Sequence, residues 1–180
     1  DVERSRGLGD VYKRQTGDTV RFTSLSPYKI DVTGRIKQSL SAFGEHVIVK
    51  EVEQAIGNAI SKTGILVKEF TVAPRFKSKT SSASHEWFIE FDEIQNDTKV
   101  FAYEIDKELQ RQNKYYKDLI AGKIIQKPII RNVVKDGFKK YMDSIGKLGG
   151  QNKIPKIAND RKIASQLKNL NLIQKPQNNL

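Results

Sequence analysis

Residues Leu66 to Phe91, LVKEFTVAPRFKSKTSSASHEWFIEF, decide the fold because they contain two apolar runs separated by a polar loop. The runs Leu66 to Ala73 and Glu86 to Phe91 are rich in β-branched and aromatic residues, which favour strands. Small and polar residues dominate Ser78 to Ser84, as is typical of a loop. The stretch therefore predicts two strands of one sheet.

Helical patterns flank these strands in the sequence. Glu51 to Lys62 is predicted to form one helix, with Gly64 as its stop, and a second helix is predicted to begin at Asp97 as N-cap. The apolar positions at helical spacing are Val52, Ile56 and Ile60 in the first helix and Phe101, Ile105 and Leu109 in the second, which is expected to continue through Tyr116 and Leu119.

Further elements are predicted on either side of this region. Downstream we expect a strand over Pro128 to Val134, a helix over Gly137 to Ile145 and a last helix capped by Asn159 or Asp160. Upstream we expect a hairpin of Thr19 to Thr23 and Tyr28 to Val32, then a short strand over Val47 to Val49. Strands interleaved with helices predict an α+β fold, with helices packed on one small sheet and a β-hairpin before it.

The composition excludes several classes of protein. The 180 residues include 37% hydrophobic and 29% charged residues, no Cys and two His, His46 and His85. Thiolate metal sites and disulfides are thereby excluded, and a zinc centre built by the protein is not expected, so no metal site is predicted. No apolar run approaches the roughly 18 to 20 residues that span a bilayer, so a cytoplasmic protein that does not enter the membrane is expected.

The positive charge is concentrated in the last third of the chain. The formal net charge is +11, and Lys123 to Leu180 contains thirteen Lys or Arg against three Asp. Such a surface attracts polyphosphates of any kind, whether nucleic acid or the triphosphate of a nucleotide, and it is also compatible with a solvated basic face.

Residues 1–15, DVERSRGLGDVYKRQ, are hydrophilic and have no apolar periodicity. They resemble a read-through of adapter sequence, and we expect them to be a non-native, disordered leader that makes no tertiary contacts. The expected domain limits are then 16–36 for a hairpin and hinge and 37–180 for an α+β domain, and the native chain is expected to be a fragment of a longer protein.

Three short clusters carry residue types suited to binding a nucleotide. Asp18 follows Thr16-Gly17 in a predicted turn, and a carboxylate there can accept hydrogen bonds from two ribose hydroxyls. The same sequence is also typical of an aspartate in a turn that binds no ligand. The segment Gly34 to Lys37 suits either a hinge or a plain linker. The loop Gly149 to Lys156 has two glycines beside Lys153, which can reach a phosphate or simply be part of a basic loop. The Walker spacing is absent.

Together these clusters resemble one known family. The run Gly17 to Ile56, the segment HEWFIEF from His85 to Phe91, the Asn113 to Tyr116 spacing and GGQNKIPKIANDRK from Gly149 to Lys162 are similar to the C-terminal third of the Gretchen Hagen, or auxin-responsive promoter, family of acyl acid amido synthetases, of a bacterial type. The resemblance covers roughly 16–168. It departs from the plant members at Asn152, where they have an aromatic residue, and at Lys156, where arginine is usual.

The resemblance implies the C-terminal mobile domain of an adenylate-forming enzyme. Such enzymes use ATP and Mg²⁺ to convert a carboxylic acid to an acyl-adenylate and then transfer the acyl group to an amine, usually of an amino acid. By position, Asp18 and Arg35 would bind the nucleotide, Ile36 and Lys37 would be the hinge, and Lys153 would be the catalytic lysine placed against the α-phosphate. The phosphate loop, the acyl pocket and the Mg²⁺ ligands would belong to an N-terminal domain, so this fragment alone is expected to be inactive.

Two alternatives to the synthetase remain open on the residues alone. One is a basic nucleic-acid-binding module that uses the Lys123 to Lys175 surface with Trp87, Tyr115 and Tyr116 as stacking residues. It predicts single-stranded RNA binding with a steep dependence on salt. The other is a non-catalytic relative retained as an interaction domain.

Overall fold

The computed structural model describes residues 18–35, 39–147, 149 and 152–174. The chain divides into two units, Asp1–Lys37 and Gln38–Leu180. The predicted leader, 1–15, lies outside the described residues. The assignment of 16–36 to another domain stays a prediction.

The first unit contains a two-stranded antiparallel sheet. Strand β1 is Asp18–Leu25 and strand β2 is Tyr28–Arg35, joined by a two-residue turn at Ser26 and Pro27. The predicted hairpin is therefore confirmed, with both strands longer than the sequence indicated.

The second unit is an α+β structure, as predicted. Its described strands are β3 (Ser39–Leu40), β4 (Val47–Ile48), β5 (Val67–Arg75), β6 (Ser84–Phe91) and β7 (Gln126–Asn132). Its described helices are α1 (Val49–Thr63), α2 (Lys99–Gln112), α3 (Lys114–Ala121), α4 (Gly137–Ser144) and α5 (Lys162–Asn169).

The main sheet has the order β5-β6-β7. Strands β5 and β6 are antiparallel, whereas β6 and β7 are parallel and are connected through α2 and α3. Residues outside the three strands pair with both outer edges, because Val72 of β5 bridges to Ile157 and the N–H of Gln174 donates to the carbonyl of Asn132 in β7 at 2.8 Å. This pairing leaves fewer backbone groups of the edge strands exposed.

The sheet is covered by helices on both faces. Alternate residues of β6 point to opposite sides, so Trp87 and Ile89 pack with α1 and α2, whereas Phe88 packs with α4 and α5. All eight residues of β6 are buried. The central strand therefore needs internal partners for its three charged or titratable side chains, those of His85, Glu86 and Glu90.

Several element boundaries differ from the prediction. The helix expected to continue through Tyr116 is two helices, because Asn113 has extended backbone angles and its side chain accepts a hydrogen bond from the Tyr116 N–H at 2.9 Å. The residue before α2 is Thr98 rather than Asp97, although the Asp97 carboxylate still accepts from the Lys99 N–H at 2.9 Å.

The last helix also begins later than predicted. Arg161 precedes α5, and the Asp160 carboxylate accepts from the Lys162 N–H at 3.0 Å. The Asn159 side chain instead bonds to β3 and the residue after it, donating to the Ser39 carbonyl and accepting from the Ser41 N–H at 3.1 Å. Asn159 therefore fixes the small β3–β4 ladder and does not cap a helix.

Two glycines of this unit give opposite predictions for stability. A Cβ at Gly137 would overlap Cγ1 of Val133, whereas Gly57 lies inside α1 with open space around its Cβ position. We expect Gly137→Ala to lower the free energy of unfolding by about 1 to 3 kcal/mol, because packed atoms must shift. We expect Gly57→Ala to raise it by about 0.5 to 1 kcal/mol, because alanine favours a helix. Urea unfolding measures the free energy of unfolding of both variants. A Gly137→Ala variant as stable as the original protein would contradict the overlap with Val133.

Candidate functional site

The loop that carries Lys153 is held against the edge strand β5. The N–H of Val72 donates to the carbonyl of Lys156 at 3.0 Å, and the N–H of Ala158 donates to the carbonyl of Val72 at 2.8 Å. The buried Thr71 hydroxyl donates to the carbonyl of Pro155 at 2.7 Å. Three hydrogen bonds within four loop residues therefore fix the backbone just after Lys153.

Side chains of the same loop add two further anchors. Ile154 is 6% exposed and belongs to the cluster under α4, whereas the next core residue, Ile157, belongs to the cluster under α1. The loop therefore crosses from one core cluster to the other around the edge of the sheet. Lys153 itself is exposed.

The two departures from the family pattern make contacts in this loop. The ammonium of Lys156 bonds to the Glu69 carboxylate and lies 4.5 Å from the centre of the Phe70 ring. The Asn152 side chain is exposed and donates to the Gly149 carbonyl at 3.4 Å. A lysine at position 156 thus has both an ionic and an aromatic partner on β5.

Lys153 lies between two clefts of the second unit. One, of about 320 Å³, is lined in part by Glu69, Glu90, Asp136, Phe138, Lys139, Lys147 and Lys153. The other, of about 400 Å³, is lined in part by Val49, Glu53, Glu69, Lys153, Lys156 and Ile157. Within the described part of the chain, no hydrogen bond or ion pair engages the Lys153 ammonium. An exposed ammonium on a fixed backbone is suited to a transient contact with an anion.

The floor of the first cleft is fixed by Glu90. Its carboxylate accepts from the N–H of Asp136 at 2.8 Å and from the N–H of Phe138 at 3.3 Å, which are at the N-terminus of α4. Negative charge at this end of a helix is favourable. Glu90 was not identified from the sequence, although a glutamate within the apolar strand HEWFIEF is a signal that a buried partner is needed.

The predicted nucleotide residues lie in the other unit. Asp18 and Arg35 are directly opposite one another in the register of β1 and β2, so the hairpin brings these two positions together. The predicted hinge residues Ile36 and Lys37 lie outside the described residues, as do Thr16 and Gly17.

The aromatic residues considered for stacking on nucleic acid are mostly internal. Trp87 and Tyr116 are completely buried, whereas Tyr115 is 64% exposed. The Tyr116 hydroxyl donates to Asp106 at 2.9 Å, and burial, together with the charge of that carboxylate, raises the pKa of Tyr116 well above its ordinary value. Two of the three proposed stacking residues therefore belong to the core.

Neither a metal-binding group of side chains nor a membrane-spanning helix is found in the part of the chain that the structure describes. In residues 18–35, 39–147, 149 and 152–174, no three His, Cys, Asp or Glu side chains are grouped so that they could hold a metal ion. Among the helices within those ranges, none has the length and apolar character needed to cross a membrane.

The fold has counterparts among solved structures. A structure described as GH3.15 acyl acid amido synthetase aligns with a TM-score of 0.65 and 18% identity over 88% of this chain and 31% of that one. Another, described as AtGH3.15 acyl acid amido synthetase in complex with 2,4-DB, aligns with a TM-score of 0.63 and 16% identity over 89% of this chain and 30% of that one. The chain thus spans less than a third of the length of these synthetases.

Comparison of the sequence itself identifies the family. No curated protein sequence matches the chain significantly. The model of the GH3 family C-terminal domain matches residues 50–162, which include the Lys153 loop and every strand of the main sheet. The family inferred from the motifs is confirmed by this match, whereas its bacterial type stays a prediction. The chain therefore belongs to the GH3 family, as its C-terminal domain.

Proposed function

We propose that this chain is the C-terminal part of an ATP-dependent acyl acid amido synthetase, in which Lys153 acts during adenylation of a carboxylic acid. The observation that carries the proposal is the exposed Lys153 on a loop anchored to β5 by Thr71, Val72 and Ala158. This arrangement lies within the residues that match the family's C-terminal domain.

The chemistry of adenylation explains why a lysine is suited to this position. The attack of a carboxylate on the α-phosphate of ATP develops negative charge on that phosphate and on the departing pyrophosphate. An ammonium placed there stabilises the transition state more than the ground state, which raises the rate of the chemical step. The fixed backbone of the loop lowers the cost of positioning Lys153 at each turnover.

Two half-reactions require the lysine to leave again. The acyl-adenylate must be accessible to the incoming amine, and a lysine that stayed against the phosphate would obstruct it. We propose that Ile36 and Lys37 are the hinge about which the domain rotates between the two reactions. Asp18 and Arg35 would bind the nucleotide on the other side of this hinge.

The exposed apolar surface of the hairpin supports the proposal that the first unit packs against a larger domain. Five apolar side chains of the hairpin are exposed, from 50% at Val20 to 78% at Tyr28, and Phe22, Leu25 and Ile30 lie between these values. A two-stranded hairpin cannot bury such residues by itself. We propose that they pack within an N-terminal adenylation domain, which would also supply the acyl pocket and the ligands of Mg²⁺. A cytoplasmic location is part of the same proposal.

A pyrophosphate-exchange assay tests the proposal. The complete protein is expected to exchange labelled pyrophosphate into ATP only when a suitable carboxylic acid is present, and to form an amide when an amino acid is added. This chain alone is expected to give no exchange. Exchange that persists undiminished after deletion of 38–180, or its absence with every acid of a broad panel, would contradict the proposed role.

A further inference from the structure

A basic cleft lies apart from the Lys153 loop, on the α4–α5 side of the main sheet. It has a volume of about 720 Å³ and shares no lining residue with the two clefts beside Lys153. Its charged lining residues are Arg75, Glu86, Arg131, Arg161 and Lys168. Four cations and one carboxylate give this cleft a formal surplus of three positive charges.

A buried carboxylate orients two of the arginines. One oxygen of Glu86 accepts from Nε of Arg131 at 2.7 Å, and the other accepts from the Arg161 guanidinium at 2.6 Å. The Arg161 guanidinium also donates to the carbonyl of Pro74 at 2.7 Å. The side chain of Glu86 is only 6% exposed, whereas those of Arg131 and Arg161 are 35% and 36% exposed. The arginines are therefore held from inside and open to solvent on the other side.

One carboxylate neutralises only one of the two guanidinium groups. Burial by itself would raise the pKa of Glu86, but hydrogen bonds and charge from Arg131 and Arg161 outweigh burial and lower it below its ordinary value. Glu86 is thus ionised at neutral pH, and one positive charge remains unbalanced at the pair. An ion pair with surplus charge and spare donors is poised for an external anion.

The positively charged side chains of the cleft also have hydrogen-bond donors that no other residue in the described part of the chain uses. A guanidinium carries five N–H donors, and Arg131 donates to Glu86 only through its Nε. Within the described ranges, no hydrogen bond or ion pair engages the side chain of Arg75 or that of Lys168. Phe88, Ala164 and Ile173 contribute apolar surface to the same cleft.

We propose that this cleft binds a small molecule that carries a diphosphate group. Planar guanidinium groups match phosphate oxygens in two-point contacts, and the surplus of three charges matches a diphosphate better than a single phosphate or a carboxylate. The volume exceeds that of a diphosphate, so the apolar surface of Phe88, Ala164 and Ile173 accommodates an attached organic group.

Calorimetric titration of the 180-residue chain tests the proposal with inorganic pyrophosphate as the probe, at fixed ionic strength. Pyrophosphate is expected to bind more tightly than phosphate, and phosphate more tightly than acetate. The variant Arg75→Gln/Lys168→Gln should weaken pyrophosphate binding about tenfold or more, because two charged contacts are lost. Neither side chain has a partner among the described residues, so these changes leave no buried group unpaired.

Two control variants locate the binding. Lys162→Gln removes one charge from the same helix, where Lys162 is 86% exposed and faces Asp160 rather than the cleft. Lys153→Ala removes the lysine of the other site. Both should leave the affinity for pyrophosphate within about twofold. Equal weakening by Lys162→Gln would mean diffuse attraction, and weakening by Lys153→Ala would place the pyrophosphate at the other site, so either result would overturn the proposal.

Three further measurements define the ligand. The Nε–H resonances of Arg131 and Arg161 should shift as pyrophosphate is added, and binding without these shifts would contradict the assigned cleft. Citrate, a tricarboxylate, should bind more weakly than pyrophosphate, since equal affinity would show recognition of charge alone. Single-stranded RNA that bound more tightly per phosphate, with an affinity rising with length, would replace the proposal with a nucleic-acid surface.

Discussion

Under the proposed function, Lys153→Ala in the complete protein should slow formation of the acyl-adenylate by about 10² to 10³, equivalent to about 2.7 to 4 kcal/mol of lost transition-state stabilisation. Amide formation from a supplied acyl-adenylate should survive, because the charge on the leaving pyrophosphate no longer develops in that step. Pyrophosphate exchange reports the first half-reaction, and single-turnover aminolysis reports the second. The split between the two assays is the result that tests an adenylation role.

Two other variants make the result specific. Lys62→Ala removes an exposed lysine from the last turn of α1, away from the loop, and should leave both half-reactions within about twofold. Asp18→Ala should mainly raise the KM for ATP, because a ribose contact is equally strong in the ground state and the transition state. Equal damage to both half-reactions by Lys153→Ala would show that the lysine supports the structure of the loop.

The sequence predicted the main unit well where its apolar pattern is distinct. The three strands of the sheet follow short runs rich in β-branched and aromatic residues, and α1 and α2 follow runs with apolar side chains at helical spacing. The break between α2 and α3 was missed because the apolar stripe continues across it. Helix α2 ends at Asn113, whose side chain caps α3 and also donates to Glu51 at 3.1 Å.

Contacts distant in sequence account for the other differences. Strand β3, Ser39–Leu40, has no periodicity of its own and was not predicted, and Asn159, more than a hundred residues away, adds one hydrogen bond to Ser39 and one to Ser41. The anchors of the Lys153 loop were missed for the same reason. Thr71 and Glu69 look like ordinary strand residues until the loop is seen beside β5. The motif could therefore suggest Lys153 itself, but not the side chains that hold its backbone.

The sequence already indicates that the two glutamates of β6 need partners, because burying a charged side chain is unfavourable. A charge within a fully buried strand has to be paired or hydrogen-bonded. In the structure, Glu86 pairs with two arginines, and Glu90 accepts two backbone N–H groups of α4. The same reasoning applies to His85, which lies on the opposite face of the strand and leads to the largest stability effect expected for this chain.

His85→Phe should lower the free energy of unfolding by about 3 to 5 kcal/mol, because it leaves the carboxylate of Glu45 buried without its side-chain partner. Nε2 of His85 lies 2.9 Å from Oε1 of Glu45, and the two side chains are 1% and 0% exposed. Phenylalanine keeps an aromatic ring beside Tyr116 and Phe43, whose ring centroids lie 5.3 and 6.2 Å from that of His85. The variant therefore removes the polar contact while retaining most of the packing.

A double variant separates the buried charge from the packing. His85→Phe/Glu45→Gln replaces the carboxylate by a neutral amide. In the original protein, Oε2 of Glu45 accepts from the Phe43 N–H at 2.8 Å, and the amide oxygen of the variant can accept the same hydrogen bond. Burying an unpaired neutral amide costs about 1 to 3 kcal/mol, less than burying an unpaired charge, so the second change should recover part of the loss. Urea unfolding at pH 7 measures both variants. A single variant within 1 kcal/mol of the original protein, or a double variant less stable than the single one, would show that packing rather than charge makes His85 important.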